Sequence, residues 1–128
     1  MTGIRRVSSG GPWEDAFGYS RAVVAGPFVL VSGCTAVRDG DVLHVGDAYA
    51  QTLEAFGVAL DALREAGLTA ADVVRTRMYV KHAVDTDTVG AAHRELFADV
   101  RPAATMLVIG ALLDPRMLIE VEVDAYRA

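Results

Sequence analysis

The sequence predicts one α+β domain, a single sheet with two helices on one of its faces. Two stretches, 47–66 and 85–99, repeat apolar residues at helical spacing. Short runs rich in β-branched residues surround them, giving the order β-β-α-β-α-β-β. The last run, Met117 to Tyr126, alternates: Ile119, Val121, Val123 and Ala125 point one way, and Leu118, Glu120, Glu122, Asp124 and Tyr126 the other. Two helices can cover only one face of such a sheet, and the acidic set marks the other.

Residues 1–18, rich in Gly and Ser and holding Pro12 and Trp13, read as an irregular leading segment. Ser20 to Ala25 and Phe28 to Ser32 form a hairpin about Gly26-Pro27. Asp39-Gly40-Asp41 marks a second turn between Cys34 and Val45. Asp47 to Ala66 is a long helix with Leu53, Phe56, Leu60 and Leu63 on its stripe and Glu54, Asp61, Arg64 and Glu65 off it. Gly67 stands where a left-handed cap is expected. Thr69 to Asp72 is a capped turn. Val73 to Lys81 is a strand, with Arg75, Arg77 and Tyr79 on one face and Val74, Thr76, Met78 and Val80 on the other. Asp85 to Asp99 is the second helix, with Val89, His93, Leu96 and Phe97 on one stripe; Pro102 ends the pattern. Ala103 to Ala111 is a strand joined to the last one through a loop containing Asp114-Pro115. If the strand at 73–81 neighbours the last one, arginines oppose carboxylates on the open face. Each such pair contributes at most about 1 kcal/mol. That face is either solvated surface or an oligomer interface with polar pockets.

The 128 residues fit one domain spanning 1–128. With 52% hydrophobic residues the chain builds a core without disulfides or metal, and 23% charged residues is not the composition of a disordered chain. A net charge of −5 argues against a nucleic-acid binder that tracks phosphates. One cysteine, Cys34, excludes a disulfide framework and opposes a cysteine-based zinc site. No pair of histidines stands at metal spacing. Ser8-Ser9-Gly10-Gly11 lacks the lysine and following helix of a phosphate loop. Asp85 and Asp87 read as helix caps and dipole partners. The longest apolar run, 22–35, is broken by Gly26-Pro27 and is too short for a membrane span; no targeting segment is visible, so a cytoplasmic protein is expected.

Five segments form an ordered set from Tyr19 onward: Phe28-Val-Leu-Val-Ser32-Gly33, Gly46-Asp-Ala-Tyr-Ala-Gln51-Thr, Asp72-Val-Val-Arg-Thr-Arg-Met-Tyr-Val80, Arg101-Pro-Ala-Ala-Thr105 and Ile119-Glu120-Val-Glu122. The set resembles the RidA/YjgF family. The resemblance implies a chorismate-mutase-like fold of the bacillary type, with a mixed sheet and two helices on one face. It implies a homotrimer whose sheets close a barrel, with small-molecule clefts between subunits and the polar open face as interface. It also implies hydrolysis of reactive enamines and imines to a keto acid and ammonia, with no cofactor and no metal.

Position 104 is where the family's deaminases carry an arginine that clamps the substrate carboxylate, and here it is Ala104. The resemblance therefore implies the architecture but not standard 2-iminoacid deamination. Glu120 matches the carboxylate that positions or activates the attacking water; otherwise it neutralises an interface arginine. Tyr19 matches the aromatic bordering the cleft, or is a core-edge tyrosine. Ser32 ends the early strand near the cleft. Arg77 is a candidate replacement clamp, and Thr105 offers an anion a hydroxyl or backbone donor. Trp13 and Phe17 either cap the cleft or pack on a neighbouring subunit. Cys34 reads as a small buried residue, since no histidine stands near it as a base, and His93 as a core or interface residue. The functions in view are an enamine or imine hydrolase, a non-catalytic metabolite-binding module and, with least support, an endoribonuclease.

Overall fold

The strand with the sharpest alternation lies inside the sheet, not at its edge. In the computed structural model, which describes residues 3–128, Ile119–Tyr126 (β8) pairs antiparallel with Phe28–Cys34 (β3) on one side and Val73–Val80 (β6) on the other. Its Ile119, Val121, Val123 and Ala125 are fully buried. The sheet continues outward through Ala22–Ala25 (β2) to Ile4–Val7 (β1), and from β6 to Ala103–Val108 (β7). All pairings are antiparallel except β6 with β7, which is parallel, so the sheet is mixed. The helices Ala48–Glu65 (α2) and Thr86–Phe97 (α3) pack together, and α2 lies against β3 and β8. This is the predicted α+β arrangement. Among the described residues no helix is long and apolar enough to cross a membrane.

Three details differ from the sequence reading, while the turn expected at Asp39-Gly40-Asp41 is present. The leading segment is not irregular: it holds β1 and a short helix, Pro12–Phe17 (α1). Only Val7 of β1 is buried, so that strand has little apolar pattern to read. The strand after Pro102 ends at Val108 rather than Ala111. Val37–Arg38 (β4) and Asp41–Val42 (β5) form a two-residue hairpin whose central Asp39 and Gly40 both have positive φ, as the turn type demands. Val74 is 45% exposed instead of core-facing. The register shifts between Val73 and Arg75, and this bulge turns the extra residue outward.

The buried face of α2 is made mainly of alanines (48, 55, 59 and 62) with Gln51, Thr52, Phe56 and Leu63. Leu53 and Leu60 sit half-buried on its flanks. Phe56 stacks edge-on against Phe97 and His93 of α3, with centroids 5.2 and 5.6 Å away. The Asp47 carboxylate accepts from the Ala50 N–H at the start of the helix. At its end Leu68 N–H bonds Leu63 C=O and Gly67 N–H bonds Arg64 C=O around a left-handed Gly67. On the open face the expected opposition of charges is present: Arg77 Nη1 donates to Asp124 at 3.3 Å, and the Tyr79 hydroxyl donates to Glu122.

Gln51 ties the helix layer to the loop before β8. Fully buried, it donates to Leu43 C=O at 3.1 Å and Arg116 C=O at 3.0 Å, and accepts from Leu118 N–H at 2.8 Å. Replacing Gln51 by Leu leaves three backbone groups without partners. We expect a loss of about 3 kcal/mol in urea unfolding with little change in slope; a loss under about 1 kcal/mol would contradict this role.

Candidate active site

The site begins at a bulge in β3. Val31 pairs with Val123 and Cys34 with Val121, so Ser32 and Gly33 together face Glu122 alone. The distortion bends the backbone under the side chain of Glu120. A Cβ on Gly33 would overlap the Glu120 carboxylate and lie 2.9 Å from its Cδ, so a larger residue here must move the Glu120 side chain. The Ser32 hydroxyl donates to Ser20 C=O at 2.6 Å and fixes the bulge against the start of β2.

Arg21, one residue before β2, supplies the second fixing point. It is 8% exposed. Its Nη1 donates to Gly33 C=O at 2.5 Å and to Cys34 Sγ at 3.4 Å, and its Nη2 donates to the Tyr19 hydroxyl at 3.2 Å. The Glu14 carboxylate lies 3.7 Å from Arg21 Nε. Glu14 in turn accepts from the Ser8 hydroxyl, the Ser9 hydroxyl and N–H, and the Gly11 N–H, gathering the leading segment over the site. Burial pushes the Glu14 carboxyl up, but the donors of Ser9, Ser8 and Gly11 outweigh it and hold the group below its ordinary range.

Between these groups lies a cavity of about 100 Å³. Pro12 and Trp13 roof it, Val37, Val58, Leu113 and Met117 line its apolar side, and Tyr19, Arg21, Cys34 and Glu120 line its polar side. No protein group among the described residues donates to the Glu120 carboxyl. Burial raises its pKa, Glu122 adds to the rise, and Arg21 offsets part of it. Burial also pushes the Cys34 thiol up to about 11 despite Arg21, so Cys34 is an uncharged thiol at neutral pH. Among the described residues no cluster of His, Cys, Asp and Glu is placed to hold a metal.

The structure brings Glu120, Tyr19 and Trp13 together, with Ser32 beside the cavity rather than lining it. Phe17, 65% exposed, does not line it. Arg77, Ala104 and Thr105 stand elsewhere, at the β6–β7 pair, where Thr105 registers with Arg77 and Ala104 with Thr76. Within one chain they do not reach Glu120's cavity. His93 is half-buried, 2.8 Å from the Thr76 hydroxyl and stacked beside Phe56 and Phe97; burial lowers its pKa, as suits a packing residue. Sequence reasoning missed Arg21 and Glu14. The available signal was one charge, Arg21, at the head of the apolar run 22–25.

A model of the family described as Endoribonuclease L-PSP matches residues 13–127. A solved structure from Mycobacterium tuberculosis, described as a member of the highly conserved YjgF/YER057c/UK114 family, superposes with a TM-score of 0.87 at 44% identity, covering 96% of this chain and 98% of that one. This chain belongs to the RidA/YjgF family. Two curated relatives extend the comparison. An uncharacterized protein of Streptomyces coelicolor is 52% identical over 97% of this RidA/YjgF chain and 92% of its own length. The 3-aminoacrylate deaminase RutC of Acinetobacter baylyi is 33% identical over 80% of this chain and 82% of its own.

Gly33→Ala tests the packing of Glu120 on the bulge. The added methyl must displace the carboxylate, and we expect a stability loss of about 1–3 kcal/mol in thermal or urea unfolding. A Glu120 carboxyl carbon signal that does not move on this substitution would contradict the close approach.

Proposed function

We propose that this RidA/YjgF protein converts a small enamine, imine or related carbonyl metabolite, without a cofactor, and is not a standard 2-iminoacid deaminase. The observation that carries this reading is Glu120, a half-buried carboxyl with raised pKa and no protein donor, facing a cavity of small-molecule size. A carboxyl so placed keeps its proton more readily than a solvated glutamate and is poised to exchange it with substrate or water. In imine hydrolysis, Glu120 takes a proton from water as the oxygen bonds to the C=N carbon. Returning that proton to nitrogen gives the amino alcohol; Glu120 then moves the hydroxyl proton from oxygen to nitrogen as the C–N bond breaks, releasing amine and carbonyl product. An enamine first takes a proton on carbon to become the iminium ion. The relative named as a 3-aminoacrylate deaminase supports this chemistry, and Ala104 separates the chain from the usual carboxylate-clamping pattern.

The reading includes a homotrimer with clefts between subunits. A neighbouring copy would bring its β6–β7 side, with Ala104, Thr105 and Arg77, to the mouth of the Glu120 cavity. Two features support it. Strand β7 is an edge strand with exposed Leu107 and Val108. The open face exposes Phe28, Leu30 and Tyr126 beside its ion pairs, and exposed edges and apolar patches of this kind mark interfaces. Arg77 is held by Asp124, which weighs against it as the anion clamp. A metabolite-binding module without turnover uses the same cavity. The ribonuclease name attached to the family model has weaker support here, because the chain is acidic and the cavity small.

Enamines generated in situ should decay faster with the protein present, and Glu120→Gln should remove most of that acceleration, on the order of a hundredfold. Equal rates for the two proteins would take Glu120 out of the mechanism. Saturable binding with no product by mass spectrometry would favour the binding module. Native mass spectrometry should show three copies, whereas a monomer at micromolar concentration would contradict the shared clefts.

A further inference from the structure

The hairpin β4–β5 stands outside the main sheet as a separate two-stranded unit. So short a ladder does not hold itself together in water, and its position depends on what ties it to the rest of the chain. Its base is fixed: Leu43 N–H donates to Ala36 C=O at 2.8 Å, and Gln51 holds Leu43 C=O. Within residues 37–42 only Val42 is buried. Among the described residues, Arg38 supplies the side-chain hydrogen bonds from this stretch to the helix layer. Its Nε donates to Glu54 at 2.8 Å and its Nη1 to Asp61 at 2.6 Å, two carboxylates that share one face of α2. Between them is Gly57, where a Cβ would come 3.2 Å from Arg38 Nη2, so the guanidinium lies on bare helix backbone.

Arg38 stands at the junction of two hollows. Its neighbour Val37 lines the Glu120 cavity together with Val58 of α2. A second hollow, lined by the exposed Ser8 and Ser9 and by Arg21, Arg38, Val58 and Asp61, shares Ser9, Arg21 and Val58 with that cavity. The same three side chains wall both, so little more than one layer of atoms divides them. The Arg38 pairs are partly exposed, with side-chain exposures of 36% for Arg38, 24% for Glu54 and 45% for Asp61. Single pairs at this exposure contribute little. His44 on Glu54 and Arg64 on Asp61 extend them into a network that holds the hairpin down yet leaves it releasable.

We infer that the Glu120 cavity has a second mouth, between the hairpin and α2, and that Arg38 is its latch. With Arg38 in its cradle, Val37 and Val58 keep the wall closed. With Arg38 released, the hairpin swings from its Ala36–Leu43 base and joins the two hollows, admitting water and small uncharged molecules. This mouth lies within one subunit and is distinct from the cleft toward a neighbouring copy. Its bearing on turnover rests on the Glu120 cavity being the reaction site; the opening itself does not.

The chain's one cysteine reports the opening. Cys34 lines the cavity and is 1% exposed, so a thiol reagent reaches it only when the wall opens. The intact protein is labelled with methyl methanethiosulfonate, small and uncharged, and followed by mass spectrometry beside urea unfolding. Arg38→Ala should label about tenfold faster, as expected for losing hydrogen bonds between charged partners at a partly exposed site. Electrostatics oppose this result: the Arg38 charge favours the Cys34 thiolate, so its loss alone slows the reaction, and a faster rate reports access. Glu54→Gln combined with Asp61→Asn breaks the cradle from the helix side, keeps the Arg38 charge, and should also label faster; it decides if Arg38→Ala does not fold. Arg64→Ala, which removes the partner of Asp61 outside the hairpin, should label like the wild type. Amide hydrogen exchange in Arg38→Ala should quicken at residues 37–43 and not at 12–18. A rate at or below wild type in either cradle variant that folds would overturn the inference. So would a rise no larger than the change in the global unfolding constant, or exchange quickened at 12–18 instead. None of these readouts uses turnover, so a failed latch leaves the enamine chemistry standing, and absent turnover leaves the latch standing.

Discussion

The site depends on one backbone irregularity, the bulge that sets Ser32 and Gly33 opposite Glu122. Without it β3 and β8 would run in register past Gly33, and Glu120 would project as an ordinary open-face carboxylate like Glu122 and Asp124. With it, the glycine backbone recedes and the Glu120 side chain folds into the space a Cβ would occupy. A bulge gives up ladder hydrogen bonds, and the protein replaces them from outside the ladder. Arg21 takes Gly33 C=O, and the Ser32 hydroxyl binds Ser20 C=O. The same two contacts draw the start of β2 against the site.

Two carboxylates near this bulge are sent in opposite directions by their surroundings. Glu14 is buried, yet four donors surround it and it stays ionised. Glu120 is half-buried without donors and beside a second carboxylate, so its charged form is disfavoured. Arg21 stands between them, closer to Glu14. A carboxylate that organises the leading segment and one that faces the cavity thus stand near one cation.

Much of the fold was legible because long periodic elements report their burial directly. The alternation from Ile119 to Tyr126 placed β8 and its open face, and Arg77 of β6 met the carboxylate of Asp124 as the pattern required. The leading segment was not legible, since β1 buries only Val7 and α1 is shorter than two turns. The bulges hid Val74 and the role of Gly33, because alternation cannot register an inserted residue. Tyr19 and Glu120 were found through family resemblance. Arg21 lay hidden in plain view: a charged residue before a strand reads as surface until the backbone carbonyl, the thiol and the tyrosine that bury it are brought together from distant parts of the sequence.

The direct measurement is the titration of the Glu120 carboxyl itself, followed by carbon NMR in the wild-type protein and assigned with Glu120→Gln. The account predicts a midpoint above the ordinary glutamate value of 4.5, caused by burial and by the neighbouring Glu122. A midpoint at or below that value would show a solvated or donor-held carboxylate and would contradict Glu120 as the reacting group of the cavity.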